Sequence, residues 1–432
     1  MQITHLSVNN YKSLRWISIT PGEMTALVGA NAAGKTNITD CIDFLSEIYG
    51  EGLEAAVAKK GGYENISFRR VRRSRSPIEL SISAQFDIED SINTFLGEEP
   101  GPVTLEHTFS FKAISTSIKA EYRVITEEIK LWASHNKEDK AIIQLKRNSD
   151  GKVELSVDKN SKHVPSPLKP DNDEYFMLMI KQFEKVSSSE LLLARHFLWM
   201  FPFSYVLQEL SNIRVFQINP IRSRQDGVPT PRAELERYGT NLPTVIDTMK
   251  RTEKKQWTTI MNAMRTIVPN LESIDVAYAM NKLLVLQFRE KGFGRAWSAN
   301  EISDGTLQTL ALLVAIYDQR ISMLILEEIE NSIHPWIIRH ILDACREASQ
   351  NKQIIITTHS PVVMNCMKPE EIWVVWRQNG GSNVSPLTKL DPSFREMWGN
   401  GDVSTFDYLD SGAEPKAIPP DPSEIDTEES EK

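Results

Sequence analysis

The stretch LVGANAAGKTN, Leu27 to Asn37, restricts the fold more than any other part of this chain. Two glycines, Gly29 and Gly34, frame four residues and are followed by Lys35 and Thr36. The run before it, MTALVG, is short and apolar and predicts a buried strand ending at Gly29. The run after it, KTNITDCIDFLSEIYG, sets Ile38, Cys41, Ile42, Leu45 and Ile48 on one helical face, with Gly50 as a stop signal. Strand, glycine loop and helix in that order make a phosphate-binding P-loop. The glycines let the backbone turn its N–H groups toward phosphate oxygens, at a helix end that carries partial positive charge. In that setting Lys35 reaches the β- and γ-phosphates and the Thr36 hydroxyl ligates Mg2+. A nucleotide with magnesium is the expected ligand.

P-loops serve kinases, GTPases, helicases and transport ATPases alike, so the rest of the chain must choose. The deciding segment lies far downstream. ISDGT opens a helix with apolar residues at Leu307, Leu310, Leu313 and Val314. MLILEE, Met323 to Glu328, reads as a buried strand ending in two carboxylates, with IENSIHP directly after it. QIIITTHSP is a second apolar strand that ends in Thr357, Thr358, His359 and Ser360. A Glu-Glu pair at the carboxyl end of a strand beside a P-loop can divide the work: one carboxylate holds hydrated magnesium, the other takes a proton from attacking water. Alone, each of these features is ordinary: a solvated strand end, a helix cap, a surface histidine. Their order behind a P-loop removes those readings.

Together GANAAGKTN, ISDGT, LILEEIENSIHP and TTHSP resemble the RecF/SMC-like branch of ABC-type ATPases, and more narrowly the stand-alone and OLD-type ATPases of bacterial anti-phage defence, such as those of Septu- or PARIS-type loci. The motifs cover residues 1–50 and about 295–365. The resemblance implies an α/β fold: a P-loop NTPase head of ABC type with an antiparallel β subdomain and a helical insertion. It implies ATP and Mg2+ as cofactors, with Asn31, Gly34, Lys35, Thr36 and Asn37 in the GxNxxGK[ST]N form of the loop. Ser303 and Gly305 match the ABC signature, which contacts the γ-phosphate held by the opposite protomer, so the active state is a head-to-tail dimer. Glu327, where most ABC proteins have aspartate, shares the magnesium with Thr36. Glu328 falls at the general base and His359 at the switch histidine. Glu330 and Asn331 fall in the D-loop, which crosses to the other subunit.

The remaining segments carry weaker signals. Residues 77–112 and 118–158 alternate apolar and polar in short runs and predict antiparallel sheet, with Gln85 as the Q-loop candidate. Residues 172–212 turn helical and richly apolar, a candidate docking surface in which Leu193 and Trp199 are the test positions. A helix is expected over 241–267. FRRVRRSRS carries Arg69, Arg70, Arg72 and Arg73, a candidate phosphate-backbone contact for DNA. These readings divide the chain into an N-terminal ATPase lobe (1–95), the β and helical insertion (96–212), a C-terminal ATPase lobe (213–400) and a proline-then-acid tail (401–432) expected to be disordered.

Composition narrows the setting. A net charge of −9 over 432 residues argues against a surface coated in phosphate-binding side chains. Cys41, Cys345 and Cys366 form no CxxC pair and read as reduced thiols. No apolar run approaches the roughly 18 residues of a membrane span, so a cytoplasmic protein is expected. No heptad run supports an SMC-length coiled-coil arm. No carboxylate-rich TOPRIM nuclease domain follows TTHSP. If the output is cleavage, a separate effector, expected to be a nuclease, must supply it. Three uses remain: the ATPase subunit of a defence system, a RecF-like DNA-binding ATPase in repair, and a transporter subunit. The last is disfavoured by the Glu-Glu strand, the unclear Q-loop and the large middle insertion.

Overall fold

The computed structural model describes residues 1–68, 76–87, 103–115, 121–132, 143–158, 181–195 and 203–412. The first eight strands are β1 (Gln2–Tyr11), β2 (Leu14–Ile19), β3 (Met24–Val28), β4 (Ile78–Phe86), β5 (Val103–Ala113), β6 (Tyr122–Trp132), β7 (Ile143–Arg147) and β8 (Val153–Val157). The others are β9 (Ile213–Phe216), β10 (Leu271–Tyr278), β11 (Leu284–Glu290), β12 (Trp297–Ser298), β13 (Met323–Glu327), β14 (Gln353–Thr357), β15 (Ile372–Gln378) and β16 (Gly381–Pro386). They belong to two compact units. The first comprises 1–22, 31–213 and 375–385, the second 23–30, 214–374 and 386–432.

The first unit is built on a seven-stranded sheet in the order β2-β1-β4-β5-β6-β7-β8, antiparallel in every pairing. The alternation seen in the sequence is the cause: β5 buries every second residue from Leu105 to Ala113. β4, within the stretch read as the N-terminal lobe, pairs directly with β5, within the stretch read as the insertion. The P-loop helix, Lys35–Glu51, packs its apolar face here, with Phe44 meeting Tyr11 at 5.5 Å and Phe111 at 6.4 Å between ring centroids. Helix Phe203–Ser211 lies against the same helix, and the Ser46 hydroxyl donates to the Ser211 and Ile213 carbonyls.

A buried polar chain crosses this sheet. Tyr49 on the P-loop helix bonds His107 Nδ1 at 2.9 Å, and His107 Nε2 bonds Glu127 at 3.2 Å. The Glu127 carboxylate also accepts the Leu192 and Leu193 amides at 2.8 and 3.0 Å. Burial and the nearby Glu127 carboxylate push the Tyr49 phenol well up and keep it a donor to Nδ1, which leaves Nε2 to donate to Glu127. Leu191, Leu192 and Leu193 are buried. This corrects the expectation of a docking surface at Leu193: its side chain is core, and a charge there would unfold the unit. Trp199 lies outside the described residues.

The second unit is centred on strands in the order β15-β3-β14-β13-β9, with a separate antiparallel sheet β10-β11-β12. β3, β13 and β14 are buried at all five positions each, as parallel strands covered on both faces must be. The helix opened by ISDGT, Asp304–Tyr317, is buried continuously from Leu307 to Ile316. Where one helix was expected over 241–267 there are two, Leu242–Thr252 and Lys254–Ile267, broken at Glu253 with φ −126° and ψ 52°. The Thr248 and Thr252 hydroxyls bond back to carbonyls one turn earlier, a competition that bends helices at that point. Among the described residues no helix is long and apolar enough to cross a membrane.

Candidate functional site

In the second unit, β3, β14 and β13 are parallel neighbours, and Leu27, Thr357 and Glu327 stand side by side at their carboxyl ends. The loops that leave these ends carry the motifs read from sequence. The Thr358 amide donates to the Leu27 carbonyl at 3.3 Å and the Glu328 amide to the Thr357 carbonyl at 3.0 Å, so the three chain exits are laced together. Glu327 is 4% exposed, and its Oε2 accepts from Arg237 Nη2 at 2.8 Å. The sequence reading missed Arg237. Its only signal was membership of a basic cluster between Arg222 and Arg237, from which no particular carboxylate could be paired.

Glu328 sits at φ 51°, a left-handed conformation uncommon for a side chain of its size. Its Oε2 accepts from Asn331 Nδ2 at 2.8 Å. Glu330, two residues on, accepts from the Thr358 hydroxyl at 3.0 Å and from the His359 amide at 2.7 Å. Glu328, Glu330, Asn331, His359 and Ser360 line one open cavity of about 440 Å³. Glu328, His359 and the D-loop residues are thus brought together inside one unit.

The signature residues are placed by their own helix. Ser303 is its N-cap, accepting from the Thr306 amide at 3.2 Å, and is exposed. Asp304 pairs with Arg224 at 2.5 Å, while Arg224 also donates to the Ala299 and Ile302 carbonyls. A Cβ on Gly305 would stand 2.8 Å from the Ser332 carbonyl oxygen, so glycine is required here for packing within the chain.

The P-loop passes from the second unit, which holds Gly29 and Ala30, into the first, which holds Asn31 to Asn37. Gly29, Ala32 and Gly34 have φ of 147°, 62° and 114°, a backbone that turns successive N–H groups inward. Gly34 caps the P-loop helix without a side-chain bond, and no acid occupies the first turn, which leaves the positive helix end for an external anion. A Cβ on Gly34 would lie 2.1 Å from the Ser382 hydroxyl. Lys35 is 7% exposed, whereas Asn31 and Thr36 are exposed. Asn37 Nδ2 donates to the Ser13 hydroxyl at 2.6 Å, and Ser13 bonds Ser382 at 2.7 Å. Lys12, beside Ser13, pairs with Asp40 on the P-loop helix at 2.5 Å. Ser13, Ser382 and Asp40 carried no motif and were not legible. Thr36, in the first unit, offers a hydroxyl and Glu327, in the second, a carboxylate; each is a hard oxygen donor of the kind magnesium takes.

Residues 24–365 match the AAA_21 family, described as "AAA domain, putative AbiEii toxin, Type IV TA system". The chain belongs to this family. Among solved structures the chain is similar to the Smc head bound to the C-winged helix domain of ScpA, at 16% identity and TM-score 0.49 over 89% of this chain and 98% of that one. It is also similar to the SMC head domain from Thermotoga maritima, at 14% and 0.41 over 89% and 99%. A third is the Smc head domain with an extended coiled coil bound to the C-terminal domain of ScpA from Pyrococcus furiosus, at 15% and 0.47 over 92% and 99%. No curated protein matches the sequence. As a member of this family with its P-loop at the end of a central parallel strand, the chain has an α/β P-loop fold with the AAA domain of an ATPase. Gln85, the Q-loop candidate, lies in β4 opposite Gln2 and Thr104. Arg69, Arg70, Arg72 and Arg73 lie outside the described residues.

Proposed function

We propose that this chain is an ATP-hydrolysing switch that dimerises around ATP and serves as the ATPase subunit of a bacterial defence system, controlling a separate effector nuclease. The observation that carries the reading is the lacing of three parallel strand ends, which delivers Glu327, Glu328 and the His359 turn from neighbouring strands beside the one that feeds the P-loop. Bound magnesium-ATP supplies the electrophilic phosphorus and the metal charge that screens its oxygens. The backbone N–H groups of Gly29 to Thr36 and the Lys35 ammonium hold the phosphates. Thr36 and Glu327 would hold the metal, whose charge would screen the phosphate oxygens, and Arg237 on Oε2 would help orient the Glu327 carboxylate. Glu328 Oε2 is engaged by Asn331, so Oε1 takes the proton of the attacking water. His359 orients that water, and Ser303 with Gly305 act on the opposite protomer.

The family's description names a toxin of a toxin–antitoxin system, which supports a chain that works with a second gene product. A second reading, a RecF-like DNA-binding ATPase, draws on Arg69, Arg70, Arg72 and Arg73. The test is sedimentation with and without ATP. Wild type should form a transient dimer, Glu328→Gln a persistent nucleotide-filled one, and Lys35→Ala none in a folded chain. A monomeric Glu328→Gln at saturating ATP would refute the switch. Co-purification of the neighbouring gene's product supports the defence reading. Salt-dependent DNA binding, lost when those four arginines become glutamine, supports the second.

A further inference from the structure

The turn that follows β13 does more than lead the chain away from Glu328. It is fixed by the Asn331 amide on the Glu328 carbonyl at 3.1 Å and the Ile333 amide on the Glu330 carbonyl at 3.2 Å, with left-handed backbone at Glu328 and Ser332. From it the Glu330 carboxylate reaches the turn that ends β14. Its Oε1 takes both the Thr358 hydroxyl and the His359 amide. The Thr358 hydroxyl in turn accepts the Ser360 amide at 2.9 Å. The backbone that carries His359 is therefore assembled on one oxygen of Glu330. The other oxygen, Oε2, is buried with no hydrogen-bond partner. Leaving a carboxylate oxygen unpaired costs free energy that a purely structural clamp would avoid, and such groups concentrate where geometry serves chemistry. With one oxygen doubly occupied and the other buried, Glu330 is also a poor second general base.

We infer that Glu330 is a positioning residue for ATP hydrolysis that acts within its own chain, holding His359 in place through the His359 backbone amide. The inference rests on the ATPase reading above. It differs from the subunit-crossing role that the D-loop resemblance implies for the same residue.

Three full-length variants test it. Glu330→Gln keeps a carbonyl oxygen that accepts both donors, Glu330→Asp falls one methylene short, and Glu330→Ala removes the acceptor. Amide exchange of residues 358–360, measured without nucleotide, should quicken about tenfold or more in Ala and Asp and stay near wild type in Gln. Turnover at saturating ATP should fall about tenfold to a hundredfold in Ala and Asp and be largely retained in Gln. The Kd for a non-hydrolysable ATP analogue should stay within about threefold throughout, since Glu330 is not proposed to touch nucleotide. Wild-type turnover in Ala and Asp, or unchanged exchange at 358–360, overturns the inference. So does a parallel loss of turnover, analogue binding and thermal stability in all three, which would make Glu330 a folding residue. A wild-type chain that binds no ATP sinks the ATPase reading itself, and the exchange experiment then decides the clamp alone.

Discussion

Two carboxylates, one in each unit, are treated in opposite ways. Glu127 is fully enclosed, and its carboxylate collects three donors from His107 and the Leu192 and Leu193 amides. Glu330 has both its bonds on one oxygen and none on the other, in a turn where Glu328 is also held at φ 51°. The first arrangement is what a protein builds when a buried charge must only hold segments together. The second tolerates strain and an unpaired oxygen, which natural structures keep where the geometry is used. Under the proposed function the first carboxylate belongs to the scaffold and the second to the working turn.

The largest effect should come from breaking the well-paired region. Glu127→Ala strands two amides and a ring N–H in an apolar sheet, and should lower unfolding free energy by about 3–5 kcal/mol in urea titrations. Analogue binding by whatever chain remains folded should be little changed. A loss below about 1 kcal/mol would mean the network is incidental, and the contrast with Glu330 would collapse.

A buried, poorly paired charge at the opposite end of β14 from the His359 turn makes the next test. Lys352 is 8% exposed and donates to the Asp318 carbonyl, while the Asp318 carboxylate is taken by Arg320. Burial, only partly offset by Asp318, pushes the ammonium down to about 8 from 10.5. Between those values the unfolded chain binds a proton that the folded chain does not, so Lys352 taken by itself makes stability rise with pH from about 8, against the fall that buried Cys41 and Cys345, both pushed up by burial, impose above about 9. The full gap is worth about 3 kcal/mol, missing entirely below pH 8 and recovered above it. Buried Tyr63, pushed up to about 12, adds a further fall above about 10. Lys352→Met should flatten the rise and be the more stable protein at pH 7. A stability difference between wild type and Lys352→Met that stays constant from pH 7 to 10 would show that burial does not displace this lysine's titration.

Legibility followed the same division. Gly34, Lys35, Glu327, Glu328 and His359 could be singled out because each is a chemically distinctive type at a fixed offset from a strand that must be buried on both faces. The antiparallel sheet was legible from alternation alone. Arg237, Ser13, Ser382 and Glu330's grip on the His359 turn were not, because each pairs residues tens to hundreds of positions apart, and local pattern holds no information on such pairs. Leu193 was misread for a related reason. An apolar run looks the same whether its face meets another chain or, as here, its own sheet.

A smaller stability effect, with a large functional one, is expected at Glu328. Glycine adopts φ 51° without the strain that any Cβ meets there, but loses more freedom on folding and gives up the Asn331 bond. These terms nearly cancel, so Glu328→Gly should unfold within about 1 kcal/mol of wild type while losing turnover a hundredfold or more. A loss of several kcal/mol would place Glu328 with Glu127, among the residues that hold the fold.

The smallest change sharpens the comparison most, because one residue belongs to both classes. Ser303 caps its own helix through the Thr306 amide, and the proposed role in the opposite protomer uses the same hydroxyl. Ser303→Ala removes both and should cost about 1 kcal/mol. Ser303→Asp separates them. Aspartate caps as well as serine and suits a helix N-terminus, so thermal unfolding should be unchanged within about 0.5 kcal/mol. Set against a phosphate on the partner, however, its carboxylate repels where serine donates. ATP-dependent dimerisation and turnover should therefore fall in Ser303→Asp although the monomer is intact, and mixing it with Lys35→Ala should not restore a two-site dimer. If Ser303→Asp dimerises around ATP as wild type does, Ser303 is a cap and nothing more, and the sandwich must close on other residues.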